Sequence, residues 1–196
     1  TAGLSLTKQG AGTLTVTGTN THTGATRVEA GTLIYGATTT LAATPLTVLG
    51  GTFNMNATTD TIGTVTLIGG TISNGTLTAA TSYTLESGTI SAIIAGAIPV
   101  TKNTNNTVTL TGVNTISSTT TINAGTLIIS GSGSATATTI TVNLGGTLTL
   151  DNTATAVASR LGDALALTMN GGNFNFIGNT AQAASETTGA LTLSTG

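Results

Sequence analysis

The stretch "GTLTVTGTNTHTGATRVEAGTL" (residues 12–33) begins and ends on the same tripeptide, Gly-Thr-Leu. A glycine, or an asparagine in its place, returns at similar spacing along the chain, at Gly12, Gly31, Gly51, Gly70, Gly88, Asn106, Gly125, Gly146, Gly172 and Gly189. Two residues after each of them lies an apolar side chain: Leu14, Leu33, Phe53, Ile72, Ile90, Val108, Leu127, Leu148, Phe174 and Leu191. Spacing of two predicts strands with one buried side.

Two further columns follow the same rhythm. One lies four residues after the glycine, at Val16, Tyr35, Met55, Asn74, Ala92, Leu110, Ile129, Leu150, Phe176 and Leu193. The other lies three residues before it, at Val28, Val48, Leu67, Leu85, Ile122 and Met169, and fails at Gln9, Asn103, Asn143 and Glu186. Val142 fills the slot beside Asn143 if that turn has one extra residue.

Each period is too short to bury its own apolar side, whereas stacked periods bury it against one another. The sequence therefore predicts an all-β parallel β-solenoid of about ten coils of ~19 residues, with rungs ~4.8 Å apart and a length of about 48 Å.

A slower repeat overlays the coils. Residues 6–34 align without gaps on residues 100–128, which pairs Lys8 with Lys102 and Asn20 with Asn114. We expect a single solenoid over 1–196, built as two five-coil repeats at about 4–97 and 98–196 and forming part of a longer chain or filament.

The segment "KQGAGTLTVTGTNTHTGATRVEAGTL" (8–33) resembles the autotransporter-associated β-strand repeat, or passenger-associated transport repeat, of bacterial autotransporter-like surface proteins. The matching residues are Lys8, Gly10, Gly12, Leu14, Gly18, Asn20, Thr21, Gly24, Thr26, Val28, Gly31 and Leu33, with His22 at a position that is usually Tyr. The second copy departs further, with Thr104, Asn106 and Ser118 for glycines and Ile116 for the Tyr.

The resemblance implies a right-handed β-helical passenger that is secreted or held at the bacterial cell surface, and it implies no catalytic residue. The residues we expect to define the structural repeat are Gly12, Leu14, Gly18, Asn20, Gly31, Leu33, Gly112, Asn114, Gly125 and Leu127.

Composition excludes several classes of function. Only 5% of the residues are charged, the net charge is −2, and the four basic residues lie far apart, so nucleic-acid binding has no basis. There is no cysteine for disulfides or thiolate ligands. No apolar run reaches the ~18 residues of a membrane span, so we expect no direct membrane insertion.

Catalytic or metal-binding clusters are not evident. The six acids (Glu29, Asp60, Glu86, Asp151, Asp163 and Glu186) are scattered, and the densest charged group is Asp151, Arg160 and Asp163. That group is either a small acidic site on a protruding loop or, as we favour, a solvated loop in which Asp163 caps a turn or pairs with Arg160. His22 is the only histidine, and we expect it to be structural. We predict that the chain is not an enzyme and needs no cofactor or metal.

Threonine arrays on β-solenoids can bind ice, and residues 13–17, "TLTVT", have the required pattern. The column three residues after the repeated glycine reads Thr15, Ile34, Asn54, Ser73, Ser91, Thr109, Ile128 and Thr149. That array is broken, which disfavours ice binding.

The chain starts at Thr1 and stops in the middle of its pattern, without a capping helix or charged end coil. We therefore expect an extracellular structural rod, stalk or scaffold segment of a bacterial surface protein. The first alternative is a self-assembling filament subunit whose partner is another copy stacked end to end. The second is an adhesin for a glycan or a host protein, although no aromatic patch marks a binding face.

Overall fold

The computed structural model describes residues 3–18, 20, 22–36 and 44–195, and these ranges contain strands, turns and no helix. The strands are β1 (Leu6–Lys8), β2 (Thr13–Val16), β3 (Thr26–Val28), β4 (Thr32–Tyr35), β5 (Leu46–Val48), β6 (Thr52–Leu67), β7 (Thr71–Leu85), β8 (Gly88–Ile90), β9 (Ile93–Gly96), β10 (Val100–Lys102), β11 (Thr107–Leu110), β12 (Val113–Ile116), β13 (Thr119–Ile122), β14 (Gly125–Ile129), β15 (Ser134–Ala135), β16 (Thr139–Asn143), β17 (Gly146–Asp151), β18 (Ala166–Asn170), β19 (Asn173–Ile177) and β20 (Leu191–Ser194). They pair in parallel with strands one coil away, which confirms the predicted β-solenoid.

Three stacked faces form the solenoid. Face 1 contains β1, β3, β5, the C-terminal segments of β6 and β7, β10, β13, β16, β18 and β20. Face 2 contains β2, β4, the N-terminal segments of β6 and β7, β8, β11, β14, β17 and β19. Face 3 is shorter and contains the central segments of β6 and β7, β9, β12 and β15. The ten segments of face 1 are separated by nine turns, or about 43 Å at ~4.8 Å per rung.

Two long strands, β6 and β7, pass through all three faces without a break. Their pairing shifts register between Asn54 and Thr58 and between Ile62 and Thr64. The first shift coincides with Asn56 and Ala57, both with positive φ, and with Asn74 (φ 54°) in the next coil. Asn74 is exposed at this bend, so its place in the predicted inward column is wrong.

The inward columns form one continuous apolar core. Val28, Val48, Leu67 and Leu85 on face 1 are fully buried, as is Leu33 on face 2. Since each of these side chains packs on its equivalents one coil above and below, burial along the columns is the main stabilising term of the fold.

Two of the predicted stacking partners are wrong. Ile90 pairs with Leu110 and not with Val108, so the face 2 strands slip by two residues at this coil. Leu191 pairs with Leu167 on face 1 and so leaves the column that follows the glycines. The reason is that a slip of two residues, or a change of face, keeps the inward-outward alternation and leaves no trace in the hydrophobic pattern.

Where the face 1 column appeared to fail, the structure supplies an explanation. Val142 takes the slot beside Asn143, as predicted. In two other coils the inward residue is a lysine, because Lys8 pairs with Val28 and Lys102 pairs with Ile122. The right hand of the coil and the boundary between the two repeats stay predictions.

Candidate functional site

Four buried polar side chains of this solenoid bond its own backbone, those of Lys8, Lys102, Asn114 and Arg160. The clearest cases are the two inward lysines at the end of their face 1 strands. The Lys8 ammonium donates to the backbone oxygens of Gln9 (2.9 Å), Gly10 (2.7 Å) and Ala30 (3.0 Å). Two of these carbonyls lie in the turn that follows the lysine, and the third lies one coil away. Lys8 therefore ties the corner between faces 1 and 2 to the neighbouring coil.

Lys102 repeats this arrangement in the second copy. Its ammonium donates to the backbone oxygen and hydroxyl of Thr104 and to the backbone oxygen of Ala124, the last at 3.2 Å. The side chain is fully buried, and burial lowers the pKa of the Lys102 ammonium, while the nearby Glu86 raises it. The Thr104 hydroxyl in turn donates to the backbone oxygen of Glu86 at 2.7 Å.

The glycines beside these lysines leave no room for a side chain. Gly31 has a φ of 65°, and a Cβ there would lie 2.5 Å from the Lys8 ammonium and 2.4 Å from the backbone oxygen of Gly12. Gly125 has a φ of 67°, and its Cβ would lie 2.3 Å from the backbone oxygen of Thr104. The glycines return at the period of the coil because the backbone of the preceding coil passes at this point.

The other predicted repeat residues occupy structural places. Leu33 and Leu127 are buried on face 2, and Leu14, in the first rung of that face, is 38% exposed. Gly12 and Gly18 have φ values of 96° and 86°. The remaining three lie near face 3, with Gly112 and Asn114 buried and Asn20 half-buried.

Asn114 points into the core of face 3 with its amide group bonded. Its Oδ1 accepts from the backbone N–H of Ile94 at 3.0 Å. Its Nδ2 donates to the backbone oxygens of Gly112 at 2.8 Å and Ser134 at 3.1 Å. One side chain thus joins three consecutive coils, which explains an asparagine inside an apolar stack.

Arg160 is the largest fully buried side chain of the described residues. Its guanidinium donates to the backbone oxygens of Gly133 (2.7 Å), Gly131 (2.9 Å) and Thr155 (2.9 Å) and to the Asn152 Oδ1 (2.9 Å). Burial lowers the pKa of the Arg160 guanidinium. The side chain links the long segment between β17 and β18 to the preceding coil.

Of the two roles predicted for Asp163, the pairing with Arg160 is therefore wrong, and Arg160 is buried although its loop was predicted to be solvated. Asp163 accepts instead from the Ser159 hydroxyl at 2.8 Å. Glu186 approaches Arg160 through the backbone, since its carboxylate accepts from the N–H groups of Arg160 (2.7 Å) and Leu161 (3.0 Å). Burial raises the pKa of the Glu186 carboxyl despite these two bonds.

Arg27, Glu29 and His22 contact neighbouring side chains. Arg27 and Glu29 form an ion pair at 3.3 Å on the outside of face 1. The His22 Nε2 lies 3.0 Å from the Thr26 hydroxyl, in a contact within its own coil. Among the described residues, no three His, Asp or Glu side chains come together as metal ligands would.

Four asparagines form a ladder along the edge of face 1, directly after the inward column. Each Nδ2 donates to the Oδ1 one coil earlier, from Asn123 to Asn103 (2.7 Å), from Asn143 to Asn123 (2.7 Å) and from Asn170 to Asn143 (3.3 Å). The Ser194 hydroxyl donates to the Asn170 Oδ1 and extends the ladder by one coil. Sequence reasoning registered Asn103 and Asn143 only as failures of the apolar column.

One comparison with known proteins identifies a repeat family in two segments of the chain. The family model described as passenger-associated-transport-repeat matches residues 6–34 and 100–129, so the chain carries two copies of that repeat. Each match starts two residues before an inward lysine and extends past the following corner glycine. No curated protein and no solved structure matches the chain. In the part of the chain that the structure describes, no helix has the length and apolar character of a membrane crossing.

Proposed function

We propose that this chain, a β-solenoid carrying two passenger-associated transport repeats, is a structural rod segment of a bacterial autotransporter-like surface protein. The observation that carries the proposal is the use of the buried polar side chains. Lys8, Lys102, Asn114 and Arg160 all donate to backbone oxygens of this chain. Such groups stiffen a rod, because each one bonds parts of the chain that lie in different coils.

A non-catalytic role and a location outside the cell belong to the same proposal. The repeat and the solenoid fold are typical of structural passengers. The acids nearest the long excursion, Asp151 and Asp163, accept bonds from side chains two and four residues away, which is the arrangement of local turns. A structural segment exposed outside the cell would need to resist unfolding, and it would need no turnover.

End-to-end stacking is a second candidate, favoured by the C-terminal end of the solenoid. Phe174 (37% exposed) and Phe176 (40%) on face 2, and Leu191 (57%) and Leu193 (72%) on face 1, continue the buried columns of the coils beneath them. Phe174 and Phe176, with Glu186 and Thr188, line a shallow depression at this end of the solenoid. A further β-coil has the complementary shape and hydrogen-bonding edge, and it comes either from the same chain or from a second copy. A role as an adhesin stays a prediction.

Two measurements test the proposal. The first is the intact mass of the protein from its natural source under denaturing conditions. A mass near 19 kDa indicates a free subunit and favours the filament, whereas a much larger mass indicates a segment of a long passenger.

The second measurement is protease shaving of intact cells. Release of peptides from residues 44–195 by a protease that cannot enter the cells is the result expected for a surface rod. Peptides that appear only after lysis would refute the surface location.

A further inference from the structure

The outer surface of face 1 carries a nearly uninterrupted row of threonines. The central outward residue of each strand pairs with its equivalent one coil away, from Thr7 at one end to Thr192 at the other. The row consists of Thr7, Arg27, Thr47, Thr66, Thr84, Thr101, Thr121, Thr141, Thr168 and Thr192. We call it the threonine row, and Arg27 is its single departure from threonine.

Two neighbouring rows flank the threonine row in the second half of the chain. On one side Thr119 pairs with Thr139 and Thr139 pairs with Ala166, so the side chains are small. On the other side lies the asparagine ladder. From Thr119 to Asn170 the outward residues of three successive strands thus read Thr-Thr-Asn, Thr-Thr-Asn and Ala-Thr-Asn. The side chains of this patch carry no charge and no aromatic ring.

The geometry of the patch is regular in both directions. Its strands pair without a register shift, from Thr119–Ile122 on β13 to Asn170 on β18. Rungs repeat every ~4.8 Å along the rod, and outward residues of one strand are ~6.6 Å apart, twice the rise per residue. The amide bonds between Asn123, Asn143 and Asn170 hold one edge of the lattice in place.

We propose that the outer surface of face 1 binds ice. Each threonine offers a hydroxyl that bonds water and a methyl group that fills the space between water molecules. An array with these two repeats presents hydroxyl and methyl groups to its hydration layer at regular intervals, as the binding of a crystalline water lattice requires. The ligand is itself a lattice, so many weak and regularly spaced contacts act together on a preorganised surface.

The character of the patch favours ice over the other ligands that a flat face takes. Nucleic acids and acidic polymers need clustered cations, and this patch has none. Protein partners are anchored by buried aromatic or arginine side chains, and sugars by aromatic rings, which these rows also lack. The sequence pattern that disfavours ice binding belongs to face 2, where Ile34, Asn54 and Ile128 interrupt the array.

The experiment measures the fraction of protein retained in a slowly growing ice hemisphere, together with inhibition of ice recrystallisation. The test variant is T121Y/T141Y on face 1. The matched control is T126Y/T147Y, which lies on the outside of face 2 in the same two coils and is also half-buried. Tyrosine keeps β-propensity, so both variants should fold alike, as circular dichroism at 4 °C would verify. If the face 1 pair unfolds, T121K/T141K replaces it.

We expect retention of the unmodified chain in ice, loss of retention in T121Y/T141Y, and unchanged retention in T126Y/T147Y. Exclusion of the unmodified chain from ice overturns the proposal, and so does equal loss in both variants. Sedimentation above freezing completes the test. Side-by-side association that T121Y/T141Y abolishes, without ice retention, would show that face 1 is an interface between copies and would also overturn it.

Discussion

Replacing Lys102 with methionine tests whether the inward lysines hold the solenoid together. Methionine is close to lysine in length and keeps the buried apolar stem, but it cannot donate a hydrogen bond. The substitution leaves the backbone oxygens of Thr104 and Ala124 without the ammonium that serves them. Each buried acceptor that loses its donor costs about 1–3 kcal/mol.

The loss of both bonds could therefore lower the free energy of unfolding by at most about 6 kcal/mol. Part of this is returned, because the variant no longer buries an ammonium whose pKa is lowered by desolvation. We expect a net destabilisation of about 2–4 kcal/mol for K102M, centred on the coil corner and its neighbours.

Amide hydrogen exchange is the appropriate assay, since solenoids unfold by segments and a single global transition averages over them. Peptides covering β10, β13 and β14 should lose protection in K102M, whereas peptides from β3 and β4 should not. The control is T101V, an outward and nearly isosteric change one residue away, which we expect to stay within about 0.5 kcal/mol of the unmodified chain. If K102M protects its amides as well as T101V does, the inward lysine contributes no stability and our account of the repeat is incorrect.

Three further changes have definite outcomes. G31A and G10A both place alanine at a φ near 65°, which costs about 1–2 kcal/mol of stability. In urea unfolding G31A should destabilise the chain clearly more than G10A does. The reason is that the Cβ of G31A would lie 2.4 Å from a backbone oxygen, whereas that of G10A meets open space. R160M should lose about 3–5 kcal/mol of local stability because four buried neutral acceptors lose their donor. Amide exchange in 152–161 should then be faster, and unchanged exchange there would refute this role of Arg160. Burial raises the pKa of both tyrosines, Tyr35 and Tyr83, to about 12, so tyrosinate absorbance should appear near pH 12 in the folded chain and near 10 in urea. Because the folded pKa is the higher one, stability should be full below pH 10 and fall by about 3 kcal/mol per tyrosine as pH rises through 10–12.

The regular spacing of glycines and apolar residues was sufficient to predict the coil and its core. The columns containing Val28 and Leu33 were predicted as inward from spacing alone, and both residues are fully buried. The alternation succeeds because a strand has only two sides, so one apolar residue fixes the direction of its neighbours. It could not distinguish one face from another, which is why Leu191 was placed on face 2 instead of face 1.

The buried polar groups were missed for a different reason. Lysine and arginine are rarely buried, so an outward position is the default expectation for Lys102 and Arg160. Some of their acceptors come from other coils, and the Gly131 oxygen lies 29 residues before the Arg160 side chain that bonds it. The signal available in the sequence was the pairing of Lys8 with Lys102 at corresponding places, each at a strand end where the inward column appears to fail.

Outward positions differ from the buried ones because the fold does not restrict which side chain occupies them. On face 2 the outward stack that begins at Thr15 continues with Ile34, Asn54 and Ser73, and the strands pair in register all the same. A β-solenoid therefore tolerates varied side chains on its outer surface. The threonine row of face 1 is nevertheless broken only once, at Arg27. Coil packing does not require that regularity, and contact with ice, as we propose, would account for it. The β-propensity of threonine is the competing explanation, and the ice-retention experiment separates the two.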